Sequence, residues 1–251
     1  MRTTAILNLK GGVGKTVTAI NMASILATVH GQRVLLIDAD SQCNATEFFG
    51  GDEAPTQTLA DLLQGEPHLI SMGTEVPDLS ILPASDALMD LDLTKAETKQ
   101  ADIYRLRDAL RACTEFFDAV LIDCPPSFSA ASAAALIAAD DVIIPIKLDA
   151  FSLRGMANLM RQVENMRRIN PDLRIAGVLP TMYYTSGHMI SARAMLLDSG
   201  LPLLPSIRRS PKVDDMTFAQ RPLCIYAPKS AAGIDYRAAV EAYIGGDNCG
   251  R

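Results

Sequence analysis

Residues 10–16, Lys-Gly-Gly-Val-Gly-Lys-Thr, set two lysines and a threonine hydroxyl around three glycines. Residues 3–9 before them are apolar and β-leaning. From Val17 to His30, Ile20, Ala23, Ile25, Leu26 and Val29 recur at helical spacing. A glycine-rich turn therefore joins a strand to the start of a helix. Such a turn aims several backbone N–H groups and the positive end of a helix dipole at one point, which suits a phosphate. Glycines at 11, 12 and 14 let the backbone approach the anion and take positive φ. The expected nucleotide cradle is Gly11, Gly12, Val13, Gly14, Lys15, Thr16 and Val17. Lys15 would sit against the β- and γ-phosphates, and the Thr16 hydroxyl would ligate Mg²⁺. Leu9 stands where the general phosphate-loop pattern has its first glycine, and Lys10 is an additional cation.

Two apolar runs end in acids. Leu35-Leu36-Ile37 leads into Asp38-Ala39-Asp40, and Val120-Leu121-Ile122 leads into Asp123. Asp38 and Asp40, two apart on an extended chain, point to one side. A carboxylate at a strand end beside a phosphate loop can hold Mg²⁺, often through water. Asp38, Asp123 and Thr16 are thus the expected metal-side residues.

The elements that must position these groups follow from apolar runs alternating with amphipathic stretches. Strands are expected at 32–38, 79–82, 119–123, 142–146, 175–180 and 203–207. Helices are expected at 58–63, 101–113, 129–139, 151–169, 188–198, 213–219 and 231–244, with a turn or short helix at 86–93. Continuous apolar strands separated by helices predict an α/β fold: a single doubly wound, mostly parallel sheet with helices on both faces. One domain is expected over residues 1–245, with a flexible tail at 246–251. Ligands in such sheets bind at the carboxyl ends of the strands.

Composition is compatible with this. Of 251 residues, 49% are hydrophobic and 21% charged, enough apolar content for a sizeable core. No long uncharged apolar run suggests a membrane span, and the first residues read as strand rather than leader. Five cysteines without C-x-x-C spacing (Cys43, Cys113, Cys124, Cys224, Cys249) favour reduced thiols and a cytoplasmic location. The net charge of −6 divides into −11 over residues 1–150 and +5 over residues 151–251. That asymmetry points to an anionic partner for the second half.

KGGVGKT is the deviant Walker A form of the ParA/MinD ATPases, and the chain resembles that family from end to end. Asp38-Ala39-Asp40-Ser41-Gln42-Cys43-Asn44 resembles its D-x-D-P-Q-G-N switch I segment, with Ser41 for the proline and Cys43 for the glycine. Asp123-Cys124-Pro125-Pro126-Ser127 matches its switch II. The resemblance implies a P-loop fold, ATP with Mg²⁺ as ligands, and slow hydrolysis in which Asp40 positions the attacking water. It implies that Lys10 reaches the phosphates of a second copy, so that ATP drives homodimerisation. It also puts Thr181, Met182, Pro205 and Ile207 near the adenine.

Among relatives, the tail lacks the amphipathic membrane helix of a MinD-like protein, the cysteines do not suit an iron-protein cluster, and no tyrosine-rich tail suggests a kinase. The resemblance is therefore to the short partition ATPases. These bind DNA without sequence preference, associate with the nucleoid, and are stimulated by a ParB-like centromere-binding partner. Arg208, Arg209, Lys212 and Lys229 are the candidate DNA contacts, since displacing counterions needs only cations along a surface. The alternative is a MinD-like or other cargo-positioning ATPase that acts as a nucleotide-gated scaffold.

Overall fold

The computed structural model describes residues 1–50, 55–91 and 102–246. Seven strands form one sheet in the order β3-β4-β2-β5-β1-β6-β7. They are β1 (Arg2–Ile6), β2 (Val34–Asp38), β3 (Met72–Gly73), β4 (Leu79–Leu82), β5 (Ala119–Asp123), β6 (Asp141–Lys147) and β7 (Arg174–Thr181). All neighbours pair in parallel except the short edge strand β3, which is antiparallel to β4.

Alternate residues of each strand face opposite layers, so the sheet separates two cores. Leu35, Ile37, Val120, Ile122 and Ile144 face one. It is covered by α3 (Leu59–Gln64), α4 (Arg105–Ala112), α5 (Ala130–Ala138) and α6 (Ala150–Arg167). Ile6, Leu36, Leu121, Ile143 and Leu179 face the other. There lie α1 (Lys15–Thr28), α2 (Asn44–Phe49), α8 (Pro211–Ala219), α9 (Leu223–Tyr226) and α10 (Ala231–Gly245). A smaller cluster seats α7 (Gly187–Asp198) against Ile146 and Val178. The doubly wound, mostly parallel sheet is the arrangement that the alternation of elements demands.

Helix α1 is buried on nearly every side, because α9 and α10 cover the face turned away from the sheet. Its buried polar groups are therefore paired: Thr18 with the Tyr236 hydroxyl at 3.2 Å, and Asn21 with the Leu223 amide at 2.9 Å.

Two expectations change. Residues 203–207 do not form a strand. They run beside β7 through single bridges, Leu203 opposite Val178 and Arg208 opposite Tyr183, because Pro202 and Pro205 have no N–H to donate to a ladder. The helix expected from 101 starts at Arg105, after a turn in which Asp102 accepts the Tyr104 amide at 3.0 Å. Helix α2, β3 and α9 were not foreseen. The expected turn at 86–93 is a 3₁₀ turn over Asp86–Leu91, its last two residues lying outside the described range. Helix α10 runs to Gly245, and the expected tail lies outside the described residues beyond Gly246. No helix among the described residues is long and apolar enough to cross a membrane.

Candidate active site

The carboxyl ends of β1, β2, β5, β6 and β7 surround the glycine loop. Gly12 and Gly14 take φ of +70° and +85°, the left-handed region that a side chain would strain. Asn8 braces the entry to the loop: its amide nitrogen donates to the Pro145 carbonyl at 2.7 Å and its oxygen accepts the Lys10 amide at 3.0 Å. Thr181 braces the far side, its hydroxyl donating to the Val13 carbonyl at 2.8 Å. Helix α1 starts at Gly14 with no side-chain cap and no acid in its first turn. By contrast, Ser129 and Asp149 cap α5 and α6. The first amides of α1 have no side-chain acceptor, an arrangement that suits an anion.

The two lysines of the loop turn different ways. Lys15 is buried to 7% exposure, with Nζ 3.3 Å from the Lys10 carbonyl. Burial lowers its pKa, while Asp123 and Asp40 favour its charge. Lys10 turns outward onto its own chain. Its Nζ donates to both oxygens of Asp149 and to the Ser152 hydroxyl, all at 2.9 Å. Burial pushes the Asp149 carboxyl up, but Lys10 and Ser152 together bring it down to about 2.

Asp38 and Asp123 are direct register partners at the ends of β2 and β5, and both are buried. Asp38 is saturated. Its Oδ1 accepts the Asp40 amide at 3.1 Å, and its Oδ2 accepts the Thr46 amide and the Thr46 hydroxyl, each at 2.8 Å. Burial raises its pKa to about 6 against those hydrogen bonds. Asp123 has no hydrogen-bond partner on either oxygen among the described residues. Burial, and then the charge of Asp38, push its pKa well above the ordinary carboxylate range, opposed by the nearby Thr16 hydroxyl and Lys15 ammonium.

A buried carboxylate with free lone pairs beside a threonine and a lysine fits a hard divalent cation. Among the described residues no three His, Cys, Asp or Glu side chains gather to hold a metal alone. Such an ion would complete its shell with phosphate oxygens and water, as Mg²⁺ does.

Two clefts meet at Gly14 and Val17. One of about 530 Å³ is lined by Gly11, Lys15, Thr16, Asp40, Pro126 and Gln220, among others. The second, about 450 Å³, is lined by Thr181, Met182, Ile207, Arg208, Arg209 and Tyr236, among others. The first suits a phosphate tail and the second a planar base. Pro205 lies outside the lining of the second cleft.

The basic candidates divide. Arg208 is held by Asp235 at 2.8–2.9 Å, and Lys212 by Asp215 at 2.8 Å. Arg209 and Lys229 make no ion pair among the described residues and are exposed. Asp149, Ser152, Asn8, Thr46 and Gln220 were missed by sequence reasoning. Only Asp149 left a local trace, an Asp three residues before a Ser at a helix start.

Residues 1–175 match a family model described as an AAA domain. The chromosome partitioning protein ParA of Caulobacter vibrioides is 44% identical over 189 residues, 73% of this chain and 70% of that one. The sporulation initiation inhibitor protein Soj of Bacillus subtilis is 32% identical over 249 residues, 92% of this chain and 94% of that one. Among solved structures, a cobyrinic acid a,c-diamide synthase from Mycobacterium smegmatis with bound ADP and magnesium superposes with a TM-score of 0.82. It is 31% identical, covering all of this chain and 97% of that one. With the glycine loop, the paired strand-end carboxylates and these relatives together, the chain belongs to the ParA family of partition ATPases.

Proposed function

We propose that this protein is a nucleotide-driven DNA-segregation switch, which binds ATP with Mg²⁺, pairs with a second copy and hydrolyses ATP slowly until a ParB-like partner stimulates it. The observation that carries the reading is Asp123: a fully buried carboxylate with both oxygens unpartnered, directly beside an uncapped helix start. An apolar strand end keeps such a group only if something binds there.

In this reading the amides of residues 11–16 hold the phosphate tail, and Lys15 neutralises it from within the subunit. Thr16 and Asp123 hold the Mg²⁺, which supplies charge neutralisation at the β- and γ-oxygens. Asp40, 8% exposed in the phosphate cleft, orients the attacking water. Thr181, Met182 and Ile207 flank the adenine. Support for an adenine nucleotide with magnesium comes from the solved relative that holds ADP and magnesium.

Lys10 would leave Asp149 to reach the phosphates of the second copy. The pair is exposed on both sides, 38% and 29%, so breaking it costs little. Non-specific DNA binding, and with it nucleoid association, would rest first on Arg209 and Lys229. Arg208 and Lys212 would first have to give up their carboxylates.

The test is hydrolysis by purified protein with magnesium and ATP, with and without DNA and the cognate partner. Slow turnover raised by both together is expected, with DNA binding that weakens steeply with salt. No affinity for adenine nucleotides in the presence of magnesium would overturn the reading.

A further inference from the structure

Asp40 lies in the middle of the loop that joins β2 to α2, and what holds that loop is unusual. Helix α2 starts after Cys43, which takes left-handed φ of +55° and gives no side-chain cap. The capping acceptor comes from outside the helix. Asp38, five residues before Cys43, accepts the amide of Thr46 in the first turn of α2 at 2.8 Å. The Thr46 hydroxyl accepts the Ala84 amide at 2.9 Å, just beyond β4. An oxygen that accepts there has its proton free to donate, and it donates to Asp38 Oδ2 at 2.8 Å. The remaining oxygen of Asp38 takes the Asp40 amide at 3.1 Å. Gly50 closes the far end of α2: a Cβ there would come within 2.6 Å of the Thr46 carbonyl oxygen.

From this we infer that Thr46 is a positioning residue for hydrolysis, acting through Asp38 to hold the amide and carboxylate of Asp40 at the phosphate cleft. Three donors converge on Asp38 and fix its plane. Two of the three belong to Thr46. With the Thr46 hydroxyl gone, the Ala84 amide and one Asp38 lone pair lose their partner, and Asp38 is held by the Thr46 and Asp40 amides alone, without the link to the chain beyond β4. The nucleotide cradle at the start of α1 is a separate element, and the side-chain hydrogen bonds of Thr46 go to Asp38 and Ala84 rather than to it. Binding and hydrolysis should therefore come apart.

The inference rests on the ATPase reading, and the experiment separates the two. Thr46→Val keeps the shape of the side chain and removes the hydroxyl, whereas Thr46→Ser keeps the hydroxyl. Affinity for a fluorescent ATP analogue with magnesium, and kcat and KM for hydrolysis, are measured for both and for the unaltered protein. The expected result for Thr46→Val is affinity within about twofold and kcat lower by roughly 10- to 100-fold, the scale of a misplacement near 1 Å. Thr46→Ser should recover kcat to within about threefold. Hydrolysis by Thr46→Val at the unaltered rate would overturn the inference. So would a parallel loss of affinity and turnover, or failure of Thr46→Ser to recover it. An unaltered protein that does not hydrolyse ATP would instead overturn the ATPase reading beneath it.

Discussion

Asp38 and Asp123 end neighbouring strands in the same register and are equally buried, yet one accepts three hydrogen bonds and the other none. The difference assigns them different work. Asp38 spends its lone pairs on the chain itself, fixing Asp40 and the start of α2. In the proposed reading, Asp123 keeps its lone pairs for a cation that is no part of the chain. A carboxylate at a strand end beside a phosphate loop is thus two kinds of residue, told apart by its partners and not by its place in the sequence.

The largest effect should come from Asp123→Asn. Loss of the metal-facing charge is expected to reduce hydrolysis on the order of 1000-fold, the several kcal/mol that a bound divalent cation supplies to phosphoryl transfer. The same change should raise the melting temperature of the nucleotide-free protein, because it removes a carboxyl whose charged form burial disfavours more than Lys15 and Thr16 offset. Calorimetry of both proteins checks this. A lower melting temperature for Asp123→Asn would mean that the carboxylate is satisfied after all.

Asp38→Asn should do the reverse to stability. It puts an amide donor among three donors and costs about 1–3 kcal/mol, read from the urea midpoint, while hydrolysis falls through Asp40.

The pH dependence sharpens the contrast. The Asp38 carboxyl is raised to about 6 by burial, so folding favours its neutral form. Its contribution to stability is full below the ordinary carboxylate range, about 4, and is lost as pH rises through about 6. Asp149 is shifted the other way, to about 2, so its contribution is present above about 4 and is lost only as pH falls toward 2. Nucleotide-free protein should therefore melt at a lower temperature at pH 7 than at pH 5. Asp123→Asn, which removes the neighbouring charge, should flatten that slope. An equal slope in both proteins would break the pairing of the two acids.

The smallest effects belong to the periphery. Lys10→Ala should change stability by no more than about 1 kcal/mol, since its pair with Asp149 is solvent-facing, while ATP-dependent pairing of subunits, followed by light scattering, is lost. Cys43→Gly should stabilise the nucleotide-free protein by about 0.5–1 kcal/mol, because Cys43 sits at left-handed φ and glycine does not resist it.

The strands that carry the site were legible because burial on both faces writes an uninterrupted apolar run, and Val34–Asp38 and Ala119–Asp123 stop at their acids. The segment after Gly200 was misread as a strand because its apolar residues look regular, while Pro202 and Pro205 remove the donors that a ladder needs. Helix α2 was invisible because its cap is not local: residues 41–44 read as loop, and the acceptor for Thr46 sits on the preceding strand. Thr46 could not be found for the same reason, with partners 8 and 38 residues away. Only the folded chain shows that Asp38 accepts three hydrogen bonds while Asp123 meets no donor but the nearby Thr16 hydroxyl.

Manganese can replace magnesium and be followed by electron paramagnetic resonance, with a non-hydrolysable ATP analogue present, in Asp38→Asn and Asp123→Asn. The expected result is manganese affinity kept within about threefold in Asp38→Asn and reduced by about 10-fold or more in Asp123→Asn. Equal losses in the two proteins, or a loss confined to Asp38→Asn, would contradict the division of labour between the two carboxylates.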